Sequence, residues 1–157
     1  SVSLNMIGSE SVNYIDFEMM EKMCHPIAVA LFDSADEPMT QFHRHDRGRL
    51  EAALNSPRQT FDGKDLYPTF AKKAAVLYYG LNKSHAFENG NKRTTTASLL
   101  VFLYINNRWL RGDNHAIENY LVDLAHHVAS TEGSSQRDEL LIEIEQWLEG
   151  HMAVSDV

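Results

Sequence analysis

Apolar residues recur at helical spacing along almost the whole chain, and runs that alternate as a strand would are scarce. The spacing predicts a first helix that starts near Asp16, a good N-cap, and buries Phe17, Met20, Met23, Ile27 and Leu31. Pro26 lies within that run and is expected to kink or divide it, because proline removes a donor and crowds the preceding turn. Asp33 to Pro38 reads as a loop. A short second helix is expected from about Gly48 to Leu54, stopped by Asn55-Ser56-Pro57, with the polar stretch Arg58 to Asp65 after it. A long third helix runs from about Tyr67 to Lys83, with Pro68 in its first turn and Phe70, Ala74, Leu77, Tyr78 and Leu81 facing inward. A fourth follows a glycine-containing turn and ends near Asn106. Residues 106–112 read as a turn with a short extended piece. Asp113 or Asn114 then caps a fifth helix that buries Ile117, Tyr120, Leu121, Leu124 and Val128. After a loop from Thr131 to Ser135, Ser135 with Asp138 resembles a capping box for a last helix that ends near Gly150. The pattern therefore predicts a mainly α, compact single-domain bundle of about six helices spanning residues 1–157, with its core from about 16 to 150.

Composition narrows what such a bundle can do. The chain has 157 residues, of which 43% are hydrophobic, enough to bury a substantial core. Its net charge of −8 argues against a general nucleic-acid binder, which needs a basic face, so no direct nucleic-acid contact is expected. The basic run His43 to Arg49 is a local exception. His43, His45 and Asp46 match no zinc-site spacing and read as a solvated loop, and Cys24 stands alone. His126-His127 and the acidic last helix read as ordinary solvated faces. No segment approaches the roughly 20 apolar residues needed to cross a bilayer. The opening residues lack the pattern of a signal peptide. No membrane association and a cytoplasmic location are the expectations.

Chemistry concentrates in His85-Ala86-Phe87-Glu88-Asn89-Gly90-Asn91-Lys92-Arg93-Thr94, directly ahead of the fourth helix. A turn that feeds a helix N-terminus offers unpaired N–H groups and the positive end of the helix dipole, which together favour an anion. Gly90 permits close backbone approach, and the Asn91 amide can donate to a phosphate oxygen. Lys92 and Arg93 add charge at a helix end where cations are otherwise mildly disfavoured. His85 is near enough to act on a group that approaches the bound anion, and an imidazole is a side chain type suited to a general base. Read alone, the same residues make an Asn-Gly-Asn turn with a helix cap and a helix-end histidine.

This segment resembles the signature of the Fic/Doc superfamily: histidine, any residue, phenylalanine, an acidic or amide residue, glycine, asparagine and a distal arginine. Lysine before that arginine and threonine after it are most similar to the Doc (death on curing) branch. Arg49 to Leu54, Ala71 to Ser84 and Val101 to Asn107 resemble the helices that flank the motif in that superfamily. The resemblance implies an enzyme, a phosphotransferase or nucleotidyltransferase that modifies a protein hydroxyl, with ATP or another nucleotide as co-substrate. It implies His85 as the base, Gly90, Asn91, Lys92 and Arg93 as the phosphate site, and Phe87 as the plug that holds the loop in the core. It implies a flap at about 56–66, before the central helix pair, that pairs with the target backbone, and a motif loop at 85–93.

Asn89 departs from the pattern, because relatives place Asp or Glu there to hold Mg²⁺, and a neutral amide attracts a hard dication less than a carboxylate does. Glu88 is adjacent, but neighbours early in a helix point in different directions, so it is not expected to substitute. The inhibitory pattern of self-restrained relatives is missing, since Val128 precedes Glu132-Gly133 and Glu145 precedes Glu149-Gly150. The first expectation is a Doc-like toxin of a toxin–antitoxin pair that moves a phosphate from ATP to a protein substrate such as a translation factor, restrained in trans by a separate antitoxin. The second is a Fic-type adenylyl- or nucleotidyltransferase. The third is a catalytically idle module that binds a nucleotide or a protein.

Overall fold

The computed structural model describes residues 11–32, 38–131 and 134–154. Its elements are six helices: α1 (residues 17–32), α2 (Arg47–Asn55), α3 (Phe70–Ser84), α4 (Asn91–Ile105), α5 (Asn114–Ser130) and α6 (Ser134–His151). Two small antiparallel ribbons complete it, one of β1 (Thr60–Phe61) with β2 (Lys64–Asp65), the other of β3 (Arg108–Leu110) with β4 (Met152–Val154). The mainly α expectation is met. The side chains of Leu31 and Ser135, the loop at residues 33–37 and residues 132–133 lie outside the described residues.

Local capping explains most helix starts. Asp16, Asp46, Thr69 and Asp113 each stand in extended backbone and accept a hydrogen bond from the N–H three residues on. Thr69 corrects the start of the third helix: Pro68 precedes the cap instead of sitting in the first turn, where the locked proline ring leads the chain into Thr69. Pro26 does not divide α1. Residues Met20–Cys24 widen into a π turn, and the His25 N–H reaches back to the Met20 carbonyl, so proline enters where the ladder is already stretched.

Helix α3 is the hub, with α2, α4, α5 and α6 all packed on it. Ala74, Leu77, Tyr78 and Leu81 are buried as the periodicity predicts. Its other sides are buried as well, including Lys73 and Asn82, because a central helix has no solvent face. The last helix runs to His151 and passes into β4, which pairs Leu110 with Met152 and Arg108 with Val154. Arg108 lies over the Phe70 ring at 4.0 Å, and Phe70 stacks on Phe102 at 5.0 Å, which ties this ribbon to the hub. Among the described residues no helix is long and apolar enough to cross a membrane.

The stretch at 56–66 is more ordered than a polar loop. Ser56–Arg58 form a 3-10 turn, and Asp62 and Gly63 both take positive φ, 53° and 76°, in a tight hairpin between β1 and β2. Asp-Gly is a strong signal for such a turn, and it stood in the sequence. Every residue of the two strands is exposed. The hairpin is held at its foot by Lys73, whose side chain is 2% exposed and whose Nζ donates to Asp65 Oδ2 at 3.2 Å and to the Pro57 carbonyl at 3.3 Å.

Candidate active site

The chain leaves α3 through His85, whose backbone is left-handed at φ 46° and ψ 46°. A residue other than glycine rarely adopts this conformation, and it stops the helix abruptly with the imidazole exposed. Ala86 and Phe87 then turn inward, each 5% exposed. Phe87 packs among Phe42, His25 and His45, with ring centroids 5.4 to 6.2 Å away. Gly90, at φ 90°, ends the loop and caps α4. A Cβ there would come within 2.9 Å of the Met39 side chain, so glycine serves both the turn and a close approach.

A strap formed by residues 38–46 fastens this loop from outside. The Asn89 N–H donates to Thr40 Oγ1 at 2.7 Å, and the Thr40 N–H donates back to the Asn89 carbonyl at 3.3 Å. The Asp46 N–H donates to the Ala86 carbonyl at 2.7 Å, while its carboxylate caps α2. Buried His25 stands 2.8 Å from the Thr40 carbonyl through Nε2 and backs the strap from α1. His45 Nδ1 lies 2.6 Å from the Phe42 carbonyl, and its ring packs on Phe17 and Phe42. The expected solvated loop is thus a structural brace at His45 and Asp46, although His43 is exposed. Among the described residues no cluster of three His, Cys, Asp or Glu could hold a metal.

Asn91 also works for the loop. Its Oδ1 accepts from the Phe87 N–H at 3.0 Å and its Nδ2 donates to the Phe87 carbonyl at 2.6 Å. Both ends of the amide are engaged inward, so what Asn91 offers an anion is chiefly its main-chain N–H in the first turn of α4. The N–H groups that open a helix have no carbonyl within it to bond. Thr95 and Thr96 return their hydroxyls to the carbonyls of Asn91 and Lys92, at 2.7 and 3.0 Å, which firms that first turn.

Loop, α4 and α5 enclose a cleft of about 990 Å³. Its motif end is lined by His85, Glu88, Asn89, Gly90, Asn91, Lys92 and Arg93, so the residues expected for base, metal and phosphate all reach one cavity, while Thr94 is buried behind it. Glu88 corrects an expectation: residues 87–89 are bends, not helix, so neighbouring Glu88 and Asn89 both line the cleft. The other wall, Ile117, Glu118, Leu121, Val122, Ala125 and His126 of α5, was not anticipated. Val122, apolar yet 50% exposed, belongs to this open wall. His126, expected on a solvated face, lines the cleft. The hairpin contributes none of the lining residues.

Two fully buried side chains of α3 register that wall. Tyr78 donates its hydroxyl to the Leu121 carbonyl at 2.9 Å, and Asn82 Nδ2 donates to the Ala125 carbonyl at 2.8 Å. Burial pushes the Tyr78 hydroxyl pKa well above its ordinary range, so it is a permanent donor. Lys83 adds a bond to the Thr131 carbonyl. The helix that presents His85 and the helix that walls the cleft are thereby locked together. Chemically, this is an anion cradle beside an exposed imidazole, with an apolar wall opposite.

The model of the Fic/DOC family matches residues 14–103. That is more than half of the chain, and the chain belongs to the Fic/DOC family. It is also similar to a curated protein named Toxin Doc from Mycolicibacterium smegmatis, 44% identical over 68 residues, which are 43% of this chain and 52% of that relative. The chain thus spans about half the length of the curated relative it matches. No solved structure matches it.

Proposed function

We propose that this Fic/DOC chain transfers the terminal phosphate of a nucleoside triphosphate to a protein hydroxyl, as a Doc-like toxin held in check by a separate antitoxin. One observation carries the reading: a single cleft joins an exposed histidine to a helix N-terminus that bears Lys92 and Arg93. In this mechanism the His85 imidazole takes the proton from the attacking hydroxyl. Its oxygen forms a bond to the γ-phosphorus while the bond from that phosphorus to the β–γ bridging oxygen breaks, and nucleoside diphosphate leaves. Lys92, Arg93 and the first N–H groups of α4 neutralise charge on the phosphates, and this positioning and electrostatic work is most of phosphoryl-transfer catalysis. A magnesium ion that accompanies the nucleotide would find hard oxygen donors in the Glu88 carboxylate and the Asn89 amide oxygen, the former restoring the carboxylate missing at Asn89. That ion would supply charge neutralisation between phosphates.

A second reading, nucleotidyl transfer, draws on Gly90, which is similar to the glycine-containing motif of adenylylating relatives. Incubating the protein with nucleoside triphosphate and a cell lysate, then measuring intact target masses, separates the two. A phosphate-sized gain is expected, and a nucleotidyl-sized gain would replace the first reading with the second. A target unchanged in mass would leave the idle binding module.

A further inference from the structure

We propose that the end of the cleft remote from the motif selects guanine, with Glu118 as the residue that reads the base. The inference rests on the nucleotide-transfer reading and adds the identity of the nucleotide. The two ends of the cleft differ in their lining. Lys92, Arg93 and the N-terminus of α4 stand at one end, and the bonds from Asn82 to the Ala125 carbonyl and from Lys83 to the Thr131 carbonyl bring the later turns of α5 to that same end. Glu118 lies two turns up α5 from His126, about 12 Å along the axis. A nucleotide with its phosphates on Lys92 and Arg93 therefore extends its base towards Glu118.

The lining there suits a base. Ile117, Leu121 and Leu100 supply apolar walls for a flat ring, and Asn114 and Glu118, one turn apart on α5, supply the polar atoms. A carboxylate only accepts hydrogen bonds, through two oxygens side by side. Guanine alone among the common bases carries two adjacent donors, N1–H and the 2-amino group, on its pairing edge. Adenine and cytosine set a ring acceptor beside their amino group, and uracil flanks its single N–H with carbonyls, so each would face the Glu118 oxygens with a repelling lone pair. The Asn114 amide can donate to the guanine carbonyl. Glu118 lies on α5, outside the stretch 14–103 that the family model matches.

Titration calorimetry of the whole protein with GTP, ATP and inorganic tripolyphosphate tests the assignment. GTP is expected to bind roughly 10- to 100-fold more tightly than ATP, the discrimination a bidentate base contact supplies. Glu118→Gln, whose amide offers one acceptor and one donor, should bring that ratio near one, and Glu118→Ala should do the same. Equal affinity of the wild-type protein for GTP and ATP overturns the assignment, as does a preference for GTP that survives both variants. Binding of tripolyphosphate without either nucleotide also overturns it and leaves the anion site standing. Failure of all three ligands removes the transfer reading itself.

Discussion

The motif loop and the hairpin at 56–66 are both turns hung on α3, yet they are held in opposite ways. Residues 85–91 are fixed by hydrogen bonds from Thr40, Asp46 and Asn91 and by a buried phenylalanine. The hairpin has exposed strands, with Phe61 76% exposed, and one buried ammonium at its foot. The difference matches what the proposed function would ask of each segment. Under the proposed transfer, a turn that aims a histidine at phosphorus would lose rate if it wandered, and this one has its peptide groups bonded on both sides. A ribbon with a free edge leaves backbone N–H and C=O groups open, and the proposed protein substrate would pair there as an extended segment.

Substitutions can break each half of this contrast. His85→Ala should leave the fold intact, since the side chain is exposed, and lower target modification by about 10²- to 10⁴-fold in a quantitative mass assay. Loss of a general base from a preserved scaffold is the largest effect expected. Asn91→Ala strands the N–H and carbonyl of Phe87 and should cost about 2–3 kcal/mol, read as a lower urea midpoint at unchanged slope. An unchanged midpoint would mean that the loop does not depend on this amide.

Alkaline pH tests the packing under the site. Cys24 is fully buried in α1, and burial raises its thiol from the ordinary 9.0 to about 12, partly offset by a hydrogen bond with Ser98. The folded state thus keeps a proton that the unfolded chain loses above pH 9. Stability from this group is complete below pH 9 and falls as pH rises from there to about 12, by up to about 1.4 kcal/mol per pH unit. Denaturation series at pH 7 to 10 should show the fall, and Cys24→Ala should flatten its first part.

Lys73→Met gives the smallest change. Removing a buried cation while keeping its bulk should shift global stability by less than about 1 kcal/mol. Amide exchange at residues 59–66 should speed up by roughly tenfold, while that of the motif loop stays as it was. Equal acceleration in both segments would show that they are one mechanical unit and end the contrast.

Several features were legible in the sequence because their causes lie within a few residues. Asp16 and Asp113 cap helices through the N–H three positions on, and apolar spacing marks the buried faces of α3 and α5. The polar motif residues, one loop and one helix turn, necessarily stay together. The hairpin was encoded just as locally, in Asp62-Gly63, but two-residue strands with no buried face leave no alternation to read. Other features needed the assembled molecule. The strap at 38–46, the inward turn of the Asn91 amide, the pairing of β3 with β4 and the α5 wall of the cleft all join residues far apart in the chain. Their hydrogen bonds and contacts exist only once packing on α3 has fixed the distances. By itself the sequence determined which residues can do chemistry and which helix ends they occupy. Tertiary structure decided what faces them across the cleft, because a cavity is the property of two surfaces and a local pattern describes only one.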